Sequence, residues 1–168
     1  MAESNQTAGI QHIPEAIQDL DTACEHALPA RDFQLTVGWG DCDPAQIAYT
    51  ARIPEWALKA IEDWYRYCLV DWYQINLQRG IGTPFVSLSC KFSAPVTPRY
   101  PLIMKVFVTR LGNSSLSHRV EALQNNVLCF SADTTAVFVE ACGMKPVPIP
   151  PNMRKNIENY IQHQQRRF

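Results

Sequence analysis

The strongest helical pattern in the chain is IPEWALKAIEDWYRYCLV, residues 53–70. Its apolar side chains recur every three or four positions and form one broad stripe, which predicts an amphipathic helix with one buried face. Pro54 fits the first turn, because the N–H that proline lacks has no helical partner there, and Glu55 is favourable near the positive end of the helix dipole. The stripe consists of Ile53, Ala57, Ala60, Ile61, Trp64, Cys68 and Leu69.

Strand-like runs lie on both sides of this predicted helix. Residues 33–39 precede it and alternate apolar with small polar side chains, the pattern of a half-buried strand. Four further runs follow the helix, separated by segments rich in typical turn residues. These runs span residues 85–92, 102–111, 115–124 and 127–140. One strand, one long helix and several consecutive strands predict an α+β fold, with an antiparallel sheet of about five strands covered by the helix.

The composition of the 168-residue chain excludes several classes of protein. With 15 basic and 16 acidic residues the net charge is −1, which argues against a nucleic-acid partner. No apolar run reaches about 18 residues, so we expect no membrane span. The first residues lack the pattern of a secretory signal, so we expect a cytoplasmic protein. The cysteines and histidines lack metal-ligand spacing, and no phosphate-binding glycine loop occurs, so we predict neither a metal nor a cofactor.

The chain divides into one main domain and two appendages. Residues 1–31 are predicted to form an N-terminal extension, because a polar start precedes only a short amphipathic stretch. Residues 32–145 contain the strand patterns and the long helix. Residues 146–168 begin with a proline-rich segment and are predicted to form a C-terminal tail with a short helix at 153–165.

The segment with the most chemical character is GDCDPA, residues 40–45, between the first strand and the long helix. Aspartate is a common turn and N-cap residue, so Asp41 and Asp43 fit a structural role, but two carboxylates beside a helix N-terminus also fit catalysis. Metal-dependent phosphohydrolases share an Asp-x-Asp pattern after a strand. They expect threonine or valine where Ala45 stands, and a parallel sheet, which the predicted antiparallel strands contradict.

A second string strengthens the catalytic interpretation. GDCDPA continues to Ile47 and Tyr49, Trp56 follows in the helix, and RGIGTP at 79–84 is followed by Val86. Together these strings resemble the 4-hydroxybenzoyl-CoA thioesterase family over roughly residues 33–140. The resemblance implies the hot-dog fold, in which a curved antiparallel sheet wraps one long helix. It also implies an acyl-CoA thioesterase that cleaves an aromatic or bulky acyl group, assembled as a homodimer or homotetramer with sites between subunits.

The resemblance also assigns individual roles. Asp43 is expected to be the catalytic carboxylate, acting either as the nucleophile or as a general base for water. Negative charge then develops on the thioester oxygen, and the backbone amide of Thr50 is the expected donor to it. Asp41 is interpreted as a turn-former, and Cys42 is not expected to be a nucleophile because adjacent carboxylates disfavour its thiolate. The expected substrate-binding residues are Tyr49, Trp56, Gly82 and Thr83.

Two departures from the family pattern bear on these expectations. The family usually has glycine where Gln46 stands, which implies a difference either in the local backbone or in the space beside the thioester. A basic cluster of the namesake type is replaced by residues 111–114, so the CoA phosphates need other partners. The altered entrance to the helix, with Gln46, Ala51 and Arg52, keeps open an alternative function, a non-catalytic or differently acting acyl-CoA-binding protein. The arginines considered for the phosphates are Arg52, Arg99, Arg110 and Arg119.

Overall fold

A computed structural model describes residues 32–70 and 72–165. The predicted extension at 1–31 lies outside the described residues. Seven strands and two α-helices follow in the order β1 (Asp32–Leu35), α1 (Arg52–Cys68), β2 (Ile81–Gly82), β3 (Phe85–Phe92), β4 (Leu102–Leu111), β5 (Ser115–Gln124), β6 (Val127–Val137), β7 (Val139–Glu140) and α2 (Pro151–Gln165). No helix among these residues is long and apolar enough to cross a membrane.

Five of the strands form one antiparallel sheet in the order β1-β4-β5-β6-β3. The predicted α+β hot-dog architecture, a sheet of about five strands with one long helix against it, is confirmed. Strands β3, β4 and β5 begin and end at the predicted residues, because alternating side chains and turn residues mark their limits.

Two predicted strands are shorter in the structure. The first ends at Leu35, because a turn follows in which the N–H of Asp41 donates to the carbonyl of Gly38 (3.1 Å). The last is interrupted at Phe138, whose N–H donates to the carbonyl of Ser114 (2.7 Å). The chain then continues as β7, which pairs with β2 in a separate two-stranded sheet.

Helix α1 supplies most of the helical contribution to the core. All seven residues of the predicted stripe are buried, together with Trp56 and Tyr65. They pack against the inner face of β4 and β5, where alternate residues such as Leu102, Leu116 and Val120 are fully enclosed. Burial of each large apolar side chain stabilises the fold by about 1.5–3 kcal/mol, so this helix–sheet contact is the main source of stability.

Helix α2 lies against β4 next to β1. Among the described residues, β1 pairs with β4 as far as Lys105. Beyond that point the hydroxyl of Tyr160 donates to the carbonyl of Val106 (2.6 Å), and the amide side chain of Gln164 pairs with both the N–H and the carbonyl of Val108 (3.0 and 2.8 Å). Side chains of α2 therefore satisfy backbone groups of β4 that no strand of the described residues pairs.

The opposite edge of the sheet, β3, pairs only with β6 among the described residues. Leu88 and Phe92 lie opposite Thr134 and Phe130, which are buried on the helix side of the sheet. Both β3 side chains nevertheless remain 41% and 55% exposed, respectively. An apolar strand edge of this kind is normally covered by another element or another chain.

Candidate active site

The GDCDPA segment folds into a compact loop immediately before α1. The N–H of Asp43 donates to the carbonyl of Ile47 (2.9 Å), and the N–H of Tyr49 donates to the carbonyl of Asp41 (2.8 Å). These two bonds close the loop on itself and fix its position relative to the first turn of the helix. We refer to residues 40–51 as the motif loop.

Gln46 adopts a left-handed backbone conformation, with φ of +62°. Glycine reaches this region without steric cost, whereas other residues rarely adopt it. The family's usual glycine at this position would therefore give the same loop shape. The departure noted in the sequence changes the side chain at the loop surface and leaves the backbone in the conformation that glycine favours.

Asp43 is half-buried in the motif loop, and only one of its carboxylate oxygens is engaged. Its Oδ1 accepts a hydrogen bond from the N–H of Ala45 (2.8 Å), the geometry of an Asx turn. Its Oδ2 has no hydrogen-bond partner within the described part of the chain. The turn therefore orients the carboxylate and leaves one oxygen for chemistry.

The N-terminus of α1 offers backbone donors next to this loop. Its N-cap, Ala51, provides no side-chain capping bond. The carbonyl of Thr50 accepts a hydrogen bond from Ile53 (3.2 Å), but the N–H of Thr50 donates none to the residues that the structure describes. An amide without a partner at the positive end of a helix dipole is suited to binding a developing oxyanion.

Asp41, the first carboxylate of the motif, has structural partners for both oxygens. Its Oδ2 accepts the N–H of Gly38 (3.0 Å), and its Oδ1 lies 3.2 Å from Nε of Arg52. The two contacts connect the turn before the motif to the first residue of α1. Asp41 therefore holds the motif loop in place, as expected for a turn-former.

Cys42 is poorly suited to nucleophilic attack. Partial burial raises the pKa of its thiol, and the negative charges of Asp41 and Asp43 raise it further. Its Sγ donates to the carbonyl of Gly38 at 3.5 Å. The thiolate that a cysteine nucleophile requires is thus disfavoured at neutral pH.

A cavity of about 370 Å³ opens at this end of α1, and we refer to it as the N-terminal cavity. Thr50 and Ile53 form its helix side, and Phe92 at the end of β3 forms part of its opposite wall. The wall is mostly apolar, so the cavity fits an apolar acyl or pantetheine group. The remaining lining residues are Ile47, Ala48, Ser93, Ala94, Pro95, Val96, Cys129 and Phe130.

The second predicted string lies at the other end of α1. Thr83 lines a cavity of about 480 Å³, the Thr83 cavity, together with Trp72, Tyr73, Asn76, Ile81 and Phe85. Its side chain is close enough to the Tyr65 hydroxyl to affect the pKa of that group. Tyr65 follows Thr50 by 15 positions, which is about 20 Å along a helix. One chain therefore does not bring Asp43 and Thr83 together.

Gly82 and two predicted aromatic contacts have distinct surroundings. A Cβ at Gly82 would lie 3.2 Å from Cγ2 of Val139, so glycine is needed for the close packing of β2 on β7. Tyr49 is 58% exposed beside the motif loop. Trp56 is only 2% exposed, packs in the core and is absent from the lining of both cavities. Its small accessible surface favours a packing role.

Three residues of the Thr83 cavity carry no assignment from the sequence. Trp72, Tyr73 and Asn76 lie just past α1, and a π-helical turn, Gln74–Gln78, gives this segment its shape. π-helical turns are rare and often occur at functional sites. The two consecutive aromatic residues were the only sequence signal, and they do not distinguish a cavity wall from core. Within the described ranges, no cluster of three metal-ligating side chains occurs.

Comparison with known proteins identifies the superfamily to which this chain belongs. The profile of the thioesterase-like superfamily matches residues 37–157. A thioesterase-superfamily structure from Jannaschia sp. CCS1 is 39% identical, with a TM-score of 0.72 over 89% of this chain and 96% of that one. The chain belongs to the thioesterase-like superfamily. The resemblance drawn from the two strings and the predicted enzyme class, a thioester hydrolase, are confirmed at this level.

More distant structures share the fold. The 4-hydroxybenzoyl-CoA thioesterase from Pseudomonas sp. strain CBS-3 is 24% identical, with a TM-score of 0.70 over 77% of this chain and 99% of that one. The 1,4-dihydroxy-2-naphthoyl-CoA thioesterase from Synechocystis is 21% identical, with a TM-score of 0.69 over 75% and 93%. No curated protein sequence matches the chain.

Proposed function

We propose that this protein hydrolyses an aromatic or similarly bulky acyl-CoA thioester to the free acid and CoA, with Asp43 as the catalytic carboxylate. The observation that carries the proposal is the arrangement before α1. A carboxylate with one unengaged oxygen lies in the same loop as the unpartnered amide of Thr50, which lines an apolar cavity. The structural relatives named for 4-hydroxybenzoyl-CoA and 1,4-dihydroxy-2-naphthoyl-CoA favour an aromatic acyl group.

Both available mechanisms use the same groups. In one, Oδ2 of Asp43 attacks the thioester carbonyl, the C–S bond breaks, CoA leaves as the thiolate, and water hydrolyses the acyl-aspartyl anhydride. In the other, Asp43 takes a proton from a water molecule, which attacks the carbonyl directly, and the C–S bond then breaks so that CoA leaves as the thiolate. In either case the carbonyl oxygen becomes negatively charged and the amide of Thr50 stabilises it. Both routes use the ionised form of the carboxylate.

We propose further that each site is completed by a second copy of the chain. Strand β3 begins two residues after Thr83 and ends at Phe92, in the wall of the N-terminal cavity. If two β3 edges pair antiparallel about a two-fold axis, the start of one strand lies beside the end of the other. The partner's Gly82–Thr83 segment then reaches the N-terminal cavity, and the exposed Leu88 becomes covered.

The ion pairs of the arginines narrow the choice of residue that could bind the CoA phosphates. Arg52 pairs with Asp41 and Glu55, and Arg119 pairs with Asp133 on the outer face of the sheet. Arg99 is exposed in the segment that follows Val96, a residue of the cavity wall, so we propose it as the phosphate contact.

The described cysteines are free thiols, which accords with the proposed cytoplasmic location.

A panel of acyl-CoA esters tests the proposal, with release of free CoA thiol as the readout. Asp43→Asn should lower kcat by about 10²- to 10⁴-fold, because it removes the nucleophile or base while preserving shape, and substrate affinity should persist. Near-normal turnover in this variant would exclude Asp43 as the catalytic group. Binding of the esters without thiol release by the wild-type protein would instead support the alternative, a non-catalytic acyl-CoA-binding protein.

A further inference from the structure

Residues 93–101 connect β3 to β4, and their first four residues line the N-terminal cavity. Every third residue from Pro95 to Pro101 is proline, which has no backbone N–H to donate to a strand ladder. The segment is therefore held by individual hydrogen bonds to other parts of the chain. We refer to residues 97–100, the turn that contains Arg99, as the Arg99 turn.

The first half of this segment is bonded to the walls of the cavity. The N–H groups at 93–94 both donate to the carbonyl of Cys129 (2.8 and 3.0 Å), and the carbonyl of Val96 accepts the N–H of Ala48 in the motif loop (2.8 Å). Val96 is buried. Three residues span at most about 11 Å, so the backbone of Arg99 lies within that distance of the cavity wall.

The Arg99 turn is held by one side chain from another strand, that of Gln124 at the end of β5. Its Oε1 accepts the N–H of Thr97 (2.9 Å), and its Nε2 donates to the carbonyls of Thr97 (2.8 Å) and Tyr100 (2.7 Å). These bonds reach both ends of the turn, on either side of Arg99. Gln124 is only 6% exposed, so their loss would leave buried polar groups unpaired.

The position of Gln124 is fixed by the hairpin that follows it. Gln124 pairs with Val127 on β6 across a two-residue turn, and both turn residues, Asn125 and Asn126, have positive φ (+49° and +62°). Two positive φ values define the tight hairpin turn whose twist matches that of the strands, and asparagine tolerates them. The side-chain amide therefore extends from a rigid corner of the sheet, whereas the Arg99 turn lies outside every strand and helix.

Arg99 itself is not held by other charges. Its side chain is exposed and forms no ion pair with the residues that the structure describes. A mobile turn would have to become ordered when a ligand binds, and that ordering costs conformational entropy. The bonds from Gln124 order the turn beforehand, which favours binding by the arginine.

We propose that Gln124 is a positioning residue for CoA: it holds the Arg99 turn so that the guanidinium can bind the CoA phosphates without further ordering of the backbone. This inference rests on the proposed function, in which Arg99 contacts the phosphates. It deepens that function by assigning affinity for the nucleotide part of the substrate to a buried residue of β5. The pantetheine arm separates the phosphates from the thioester, so Gln124 has no part in the chemistry at Asp43.

A truncated substrate tests the proposal. The CoA ester with the highest kcat/KM in the acyl-CoA panel is compared with the pantetheine ester of the same acid, which lacks the nucleotide and its phosphates. Gln124→Met keeps the length of the side chain and removes its three bonds to the turn. It should raise KM for the CoA ester about tenfold, keep kcat within about twofold, and leave KM for the pantetheine ester unchanged. An equal change with both esters would overturn the proposal.

Gln164→Met is the matched control. The side-chain amide of Gln164 also bonds to backbone groups, the N–H and carbonyl of Val108 (3.0 and 2.8 Å), but this residue lines neither cavity. The control should lower the free energy of unfolding and leave both KM values unchanged, in assays at a temperature where each variant is folded. If Gln124→Met behaves in the same way, its role is only structural and the proposal is overturned.

A double-variant cycle tests whether Gln124 acts through Arg99. Arg99→Ala should raise KM for the CoA ester at least as much as Gln124→Met, and the double variant should be no worse than Arg99→Ala, because no guanidinium then remains to be positioned. Effects that multiply would overturn the proposal. If Gln124→Met does not fold, Gln124→Glu takes its place, since it keeps an acceptor for the N–H of Thr97. An unchanged KM in Arg99→Ala, at an exposed position, overturns the proposal in either case.

Binding of free CoA separates failure of this inference from failure of the proposed function. In calorimetry CoA should bind the wild-type protein about tenfold more tightly than Gln124→Met, and pantetheine should not distinguish them. If the wild-type protein releases no thiol but shows this difference, the inference stands and hydrolysis fails. If turnover depends on Asp43 and neither KM nor CoA affinity responds to Gln124, hydrolysis stands and the inference fails. If CoA does not bind and no ester is cleaved, both fail.

Discussion

The two ends of α1 differ in how their polar groups are satisfied. At the N-terminal end the motif loop pairs many of its own backbone groups, while Oδ2 of Asp43 and the amide of Thr50 have no partner among the described residues. At the C-terminal end the buried ring nitrogens of Trp64 and His118, which have no hydrogen-bond partner in the described part of the chain, lie among aromatic rings, and His118 is fully buried.

In the proposed function, hydrolysis takes place at the N-terminal end of α1, and Thr83 near the C-terminal end binds the acyl group. A reacting carboxylate needs access to the thioester and to water, so it belongs in a loop at the surface. Under the proposed function, the motif loop at one end of α1 holds the reacting groups and Thr83 lies about 20 Å away at the other end, and the proposed dimer brings the Thr83 end of one chain to the motif loop of the other.

Subunit complementation has the largest expected effect and tests whether two chains share each site. Asp43→Asn should remove the reactive end, and Thr83→Trp should block the cavity at the other end, so each variant alone should lose about 100-fold or more in turnover. When both variants are expressed together, about half of the dimers are mixed and hold one intact site each. Activity should therefore recover to about a quarter of wild type.

Co-expression of Asp43→Asn with Asp43→Ala is the control for that experiment, since no combination of these two variants restores a site. Absence of recovery in the first mixture, with mixed dimers shown to form, would place both halves of the site within one chain.

The pH dependence of the free energy of unfolding tests whether His118 is enclosed in the folded protein. Because the pKa of His118 is lowered to about 3 in the folded protein from 6.5, the unfolded chain takes up a proton first as the pH falls. The free energy of unfolding should fall by about 1.4 kcal/mol for each pH unit between these two values and show no contribution from His118 above them.

His118→Phe should remove this part of the slope in denaturant titrations at a series of pH values. His163→Gln, a change in a half-buried histidine on α2, should leave it in place. An unchanged slope in His118→Phe would mean that the ring is accessible to protons in the folded state and is not enclosed.

The smallest effect is expected at the other carboxylate of the motif. Asp41→Asn weakens the contacts with Gly38 and Arg52 but removes no reacting group, so kcat should stay within about threefold of wild type. The free energy of unfolding should fall by at most about 1 kcal/mol, the usual value of such a bond near the surface. Chemical denaturation beside the thiol-release assay measures both, and a loss as large as that of Asp43→Asn would contradict the separate roles.

Local patterns predicted the elements of this fold well. The stripe on α1 and the limits of β3, β4 and β5 follow from side-chain periodicity and turn residues, which act within a few positions. The predicted limits of β1 and β6 were wrong. A local turn between Gly38 and Asp41 follows β1, and a bond from Phe138 to the distant Ser114 interrupts the last strand. Strand pairing with a distant residue leaves no periodic trace in the sequence.

The same distinction applies to the site. The resemblance to the 4-hydroxybenzoyl-CoA thioesterase family implied Asp43 and Thr50, and both lie beside the start of α1 because a loop and the helix that follows it are adjacent by covalent connection. The contact between Gln124 and the Arg99 turn could not be predicted, since Thr97 and Gln124 are 27 positions apart and meet only in the folded protein. In the sequence Gln124 stands beside Asn125 and Asn126, where it resembles a turn residue.

The amino-acid sequence by itself determined the elements, their order and the reactive loop, because these depend on neighbours along the chain. Only the tertiary structure decided that α2 packs against β4, that β3 pairs on one side alone among the described residues, that the two strings lie at opposite ends of α1, and that Gln124 on β5 reaches the Arg99 turn. Those properties depend on contacts between residues distant in the chain, which form when the apolar faces of helix and sheet are buried together.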